Sequence, residues 1–232
     1  MEKKVTICAC ASRDFVDKNE VAVLATALTR QGYKVEVVED LCRMVELQLR
    51  QFADVAGTTI VACHERAVRN LMRYRGYEAS AVYDIRQNGA ADIIQQMGLE
   101  AEAIDTDEDF VRQIQEMERE PGEDAWFPVI DAERCVSCRK CHDFCLFGVY
   151  AIEDNHVKVV HPENCKNNCP ACARTCPKTA IIFPKYNLSP INGGLEEDDE
   201  QAIRIDTKVL YNQALRERLA HRRAAAFKIN KG

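Results

Sequence analysis

Apolar and polar positions follow two periods along the first half of the chain. Short apolar, β-branched runs at residues 5–8, 33–38, 58–62 and 81–83 predict strands. Between them lie helical spacings. Val21, Leu24, Ala25 and Leu28 recur on one face and stop at Gly32, and residues 41–52 read as one helix. Val68, Leu71 and Met72 mark a helix that stops at Gly76, residues 90–97 form another, and Thr106 caps a last one bearing Phe110, Ile114 and Met117. Strand–helix alternation of this kind predicts a small parallel sheet covered by helices, an α/β domain over residues 1–120.

The periodicity then stops. Residues 118–124, with Pro121-Gly122, read as a linker, and Trp126-Phe127-Pro128 leads into a cysteine-rich stretch. There Tyr150 to Ile152 and Val157 to Val160 can pair through an Asp154-Asn155 turn. After residue 186 the chain changes again, to a predicted arm over residues 187–232. Residues 189–194 are loop, and residues 196–200 are five acids in a row, solvated or paired within the chain. Asp206 can cap a helix with Tyr211, Leu215 and Leu219 on a narrow stripe, ending basic at Arg222, Arg223 and Lys228. Such a helix docks on a partner or packs back on its own chain.

Eight of the twelve cysteines fall in two runs. The first is Cys135-x2-Cys138-x2-Cys141-x3-Cys145, and the second is Cys165-x3-Cys169-x2-Cys172-x3-Cys176 followed by Pro177. Thiolate sulfur is a soft ligand suited to iron. In paired runs of this type the fourth cysteine of each run serves the other cluster. The expected ligand sets are therefore Cys135, Cys138, Cys141 and Cys176 for one cluster, and Cys165, Cys169, Cys172 and Cys145 for the other. The alternative for such thiols is zinc. These residues resemble bacterial-type ferredoxins with two 4Fe–4S clusters, over roughly residues 128 to 184. The resemblance implies an α+β dicluster domain, here residues 126–186, and one-electron transfer. Two departures stand out: Leu146 rather than Pro follows Cys145, and Lys166-Asn167-Asn168 lengthens the second run by one residue.

The other four cysteines are Cys8, Cys10, Cys42 and Cys63. On the strand assignment each lies at or just beyond a strand's C-terminal end, the sheet edge where ligands bind in open parallel sheets. Four thiols meeting there can hold a third iron–sulfur cluster; otherwise they are small buried hydrophobes. His64 beside them is expected to be a surface residue at a helix start. Ile7-Cys-Ala-Cys10, Cys42 and the stretch from Val61 to Arg66 are similar to the N-terminal region of the A-type component of heterodisulfide reductase and related proteins, over residues 4 to 75. That resemblance implies a place in a cytoplasmic, flavin-based electron-transfer complex.

The chain has no G-x-G-x-x-G and only ten glycines, so no flavin or nicotinamide site is expected on it. The flavin would sit on a partner flavoprotein. A net charge of −6 argues against nucleic acid as a partner. Arg66, Arg69, Arg73 and Arg75 form a basic helix face, solvated or meeting an acidic redox partner. No nucleophile–base pair is evident, so no substrate-transforming site is expected. The starting apolar run is too short for a signal peptide, and no segment approaches the roughly 18 apolar residues of a membrane span, which points to the cytoplasm. The expected function is an iron–sulfur electron-transfer subunit of a hetero-oligomeric oxidoreductase. The alternatives are a redox-sensing or assembly protein that binds a regulatory partner, and a free-standing ferredoxin.

Overall fold

The structure, a computed structural model, describes residues 3–100, 106–117 and 124–195. The linker at 118–123, the acidic run and the Asp206 helix lie outside the described residues.

The first unit runs β1 (Lys4–Cys8), α1 (Lys18–Arg30), β2 (Lys34–Val38), α2 (Leu41–Glu46), α3 (Phe52–Val55), β3 (Thr59–Ala62), α4 (Glu65–Tyr74), β4 (Ala81–Asp84), α5 (Ala90–Gln96) and α6 (Glu108–Glu116). The four strands form one parallel sheet in the order β2-β1-β3-β4. Central β1 is buried from Val5 to Cys8, as a strand covered on both faces must be. The polar side chain within that buried stretch is satisfied: the Thr6 hydroxyl lies 2.8 Å from Thr58 Oγ1, which itself donates to the Val55 carbonyl. Asp17 caps α1 by accepting from Asn19 N at 2.8 Å, and the predicted stripe of Val21, Leu24, Ala25 and Leu28 is buried.

Two expectations are corrected. Residues 41–52 are not one helix. Gln48 turns left-handed at φ 53°, and Leu49 N closes on the Met44 carbonyl at 2.9 Å. The break lets Phe52 start a separate short helix with its ring fully buried. The cap of the last helix is Asp107, not Thr106. Its carboxylate accepts from Asp109 N at 2.9 Å, where an anion also suits the helix N-terminus.

The second unit comprises β5 (Val129–Ile130), α7 (Lys140–Phe144), β6 (Tyr150–Glu153), β7 (His156–Val159), a single 3-10 turn (Pro162–Asn164), α8 (Ala171–Thr175) and β8 (Ile181–Ile182). β5 pairs antiparallel with β8, and β6 with β7. Asp154 and Asn155 both take positive φ at the β6–β7 turn, the backbone a tight two-residue hairpin requires.

The units share apolar packing. Phe127, Val129 and Ile182 belong to the same buried cluster as the parallel sheet. Residues 187–195, the beginning of the predicted arm, fold back: Phe183 N donates to the Ile191 carbonyl at 2.8 Å, and Ser189, Ile191 and Asn192 are buried.

Candidate metal centres

All twelve cysteines are free thiols. Cys141 lies within α7 and Cys145 caps its C-terminus; Cys172 and Cys176 stand in the same relation to α8. The two short helices pack together. Left-handed backbone at Ser137 and Arg139 curls the first run, and Asn168 at φ 59° curls the lengthened second one. Asparagine adopts that conformation readily. Asn168 Oδ1 also accepts from Arg13 Nη2 at 2.9 Å, so the added residue reaches the first unit.

The thiols group in a crossed pattern. Cys145 joins Cys165, Cys169 and Cys172 in the wall of a cavity of about 410 Å³. Burial pushes the Cys141 thiol up to about 12, and the neighbouring Cys176, Cys135 and Cys138 add to the shift. Burial likewise pushes Cys165 up to about 12, with Cys169 and Cys145 contributing. Each set draws its fourth member from the other run. Donors address these sulfurs: Tyr150 Oη at 3.0 Å from Cys172 Sγ, Ala180 N at 3.3 Å from Cys176 Sγ, and the His142 amide at Cys141. Burial, then Cys172, push the Tyr150 phenol up, so it remains a donor. Among the described residues no three Cys, His, Asp or Glu side chains are placed to hold one metal ion. Four soft thiols lining an open cavity fit an iron–sulfur cluster.

The first unit gathers the other four cysteines. The chain leaves β1 for β2 on one side and returns to β3 on the other, which puts the switch point of the sheet between β1 and β3. Cys8 ends β1, Cys63 follows β3, and Cys42 sits in the first turn of α2. Cys10 is left-handed at φ 49°, a conformation uncommon for a non-glycine residue. All four line one cavity together with Asp40 and Lys185. Burial pushes Cys8 up to about 12, Asp40 and Cys10 adding to it; burial also raises Cys42 and Cys63. The free space is about 10 Å³, room for about one water. The donor set suits a cluster, which would have to part these side chains.

Lys185 comes from the second unit, 175 positions from Cys10. Its Nζ donates to Cys10 Sγ at 3.1 Å and to Asp40 Oδ2 at 2.5 Å, with both charged side chains almost wholly buried. Asp40 also accepts from Ser12 Oγ at 2.8 Å and from the Cys42 and Arg43 amides that it caps. Burial alone would raise the Asp40 carboxyl; the Lys185 ammonium and these donors overcome that and hold it below the usual range. Burial opposes the Lys185 charge, yet Cys10 and Asp40 push its value well above that of a free lysine. Sequence reasoning missed this residue. Its one signal is a lysine directly after the apolar run at 180–184.

Two further expectations are corrected. His64 does start α4, but it is buried and pairs with Asp84 at 2.8 Å. The arginine face of α4 is engaged within the chain. Arg66 bonds Asp131 and Arg73 bonds Glu133, both in the second unit, while Arg69 pairs with Glu65 and Arg75 reaches the Val45 carbonyl.

No protein-family model matches the chain. Ferredoxin-3 of a Nostoc species is 33% identical over 79 residues, an alignment that covers 25% of this chain and 80% of that protein. The chain belongs to the ferredoxin family. An uncharacterized ferredoxin of Methanocaldococcus jannaschii is 45% identical over 65 residues, covering 28% of this chain and 44% of its own length. The pyruvate synthase subunit PorD of the same organism is 35% identical over 54 residues, 23% of this chain and 62% of that subunit. This ferredoxin therefore carries a ferredoxin-type iron–sulfur domain on part of its length. Among its described residues no helix is long and apolar enough to cross a membrane.

Proposed function

We propose that this ferredoxin is an electron-transfer subunit of a multi-subunit cytoplasmic oxidoreductase. Cys135, Cys138, Cys141 and Cys176 hold one 4Fe–4S cluster, and Cys165, Cys169, Cys172 and Cys145 hold a second. Cys8, Cys10, Cys42 and Cys63 hold a third iron–sulfur cluster. The clusters supply one-electron chemistry when bound. The chain's own groups orient the thiolates, bury some of them and direct Tyr150 Oη and the Ala180 amide at two sulfurs.

The observation that carries this reading is the convergence of four thiols, three of them buried, at the sheet's switch point, packed against a ferredoxin-type domain. A freely diffusing carrier has no need of that second thiol site. Twelve free cysteines suit a reducing compartment. The similarity to PorD, a pyruvate synthase subunit, supports a place in a larger enzyme. The similarity of residues 4 to 75 to the A-type component of heterodisulfide reductase supports a flavoprotein partner in a flavin-based complex.

Anaerobic purification with bound partners, followed by iron and sulfide analysis per chain, tests the proposal. Three clusters of this type give twelve irons and two give eight. We expect twelve, falling by about four in Cys63→Ser, with a flavoprotein co-purifying and rapidly reducing the clusters. A solitary protein whose clusters exchange no electrons with such a partner, and instead gate another protein's binding, would establish the sensing role and overturn this one.

A further inference from the structure

We infer that Lys185 sets the reduction potential of the N-terminal cluster, its buried ammonium stabilising the charge added on reduction. The inference rests on the reading that Cys8, Cys10, Cys42 and Cys63 hold that cluster. The ammonium sits 3.1 Å from Cys10 Sγ and is anchored by Asp40 on its other side. Both partners are nearly fully buried, so water screens neither charge. As a stabilising device the pair is poor. Buried ion pairs are often matched or bettered by well-packed apolar residues. As an electrostatic device it is well placed, because net charge and hydrogen bonds to sulfur are what move cluster potentials. Lys18 adds to the field: its Nζ donates to the Ala9 and Cys10 carbonyls at 2.9 and 3.2 Å.

The origin of the charge matters as much as its position. Lys185 follows β8 by three residues and belongs to the ferredoxin-type domain, while the thiols belong to the α/β unit. The potential of the N-terminal site therefore depends on the two units being docked. A cluster in an undocked α/β unit would be harder to reduce, and docking would bring it into line with the rest of the electron path.

The test uses the full chain, loaded with iron and sulfide anaerobically and titrated with dithionite while electron paramagnetic resonance is recorded. The signal lost in Cys63→Ser identifies the N-terminal cluster. In Lys185→Met that signal should titrate lower, with the reduced-to-oxidised ratio at a fixed potential down at least tenfold, about 59 mV for a one-electron couple. Lys185→Arg keeps the charge and should restore the wild-type value. Asp40→Asn should shift the potential the opposite way, which a purely structural role would not produce. If Lys185→Met fails to fold, Asp40→Asn and the double variant Lys185→Met/Asp40→Asn carry the test: the double variant should titrate below Asp40→Asn. Twelve irons with an unshifted potential across these variants would overturn the inference and leave the site standing. Eight irons, unchanged in Cys63→Ser, would overturn the site and the inference together.

Discussion

Arg66 Nε donates to Asp131 Oδ2 at 2.7 Å, and the same guanidinium donates to the carbonyls of Thr179 and Pro190. One side chain from α4 thus ties down three separate stretches of the ferredoxin-type domain and its trailing loop. Both partners of the ion pair are largely buried. Arg66→Ala should therefore cost about 2–4 kcal/mol, because it takes from a buried carboxylate its closest cation, leaving Arg134 at 3.7 Å, and frees two carbonyls. Arg66→Lys should recover only part of this, since an ammonium cannot fork to three acceptors in fixed geometry. Denaturant unfolding of the wild type and both variants measures it. A loss under about 0.5 kcal/mol for the alanine variant, the size expected of an exposed pair, would show that the latch contributes nothing.

Tyr150 offers a separate handle on the cluster assigned to the second run. Its hydroxyl is 3.0 Å from Cys172 Sγ. Tyr150→Phe removes a donor to sulfur and keeps the ring's packing, so the potential of that cluster should fall. At about 0.5–1.5 kcal/mol per hydrogen bond and 59 mV per tenfold change, the drop should be roughly 20–65 mV. Redox titration should show one cluster moving and the others unmoved.

The trailing loop can be tested through Gly193, which has φ 98° and lies against the start of α4. A Cβ there would meet Ala67 Cβ at 2.6 Å and Ala67 N at 2.8 Å. Gly193→Ala should destabilise by about 2–4 kcal/mol, combining overpacking with left-handed strain. The loop should open to protease at residues 187–195 before the sheet does. Unchanged melting would mean that the loop is not held where it lies.

What could be read from the sequence follows the range of the forces involved. The alternation of strands and helices and the β6–β7 hairpin at Asp154-Asn155 rest on local periodicity and turn chemistry, so they were legible. Gathering Cys8, Cys10, Cys42 and Cys63 at one edge needed only the rule that parallel strands end together. Gln48 was different: its reversal exists to bury Phe52, a tertiary gain that local helix propensity does not register. The arginines of α4 looked like a solvated face because their acceptors, Asp131, Glu133 and Thr179, lie 60 or more positions away. Lys185 was invisible for the same reason, and no spacing rule links a lysine to thiols on another unit. The lengthened loop before Cys169 read as a departure from ferredoxin spacing; its contact with Arg13 supplies a reason.

The N-terminal thiols should also differ from the others when iron is removed. Their walls belong to the core of the parallel sheet, and the space among them is already nearly closed. Iron-free protein should therefore keep Cys8, Cys10 and Cys42 buried, while Cys138 is exposed. Alkylation requires both access and the thiolate. Burial denies the first, and for Cys8 it also holds the thiol near 12, so little thiolate is present at neutral pH. Brief iodoacetamide treatment of reduced, iron-free protein at about pH 7.5 should label Cys138 and leave those three unlabelled, as read by peptide mass spectrometry. Raising the pH to about 9 should still leave the three far behind Cys138, because access limits them. Equal labelling of Cys138 and Cys10 would mean that the α/β unit opens without its metal, and that the site is formed by the cluster rather than waiting for it.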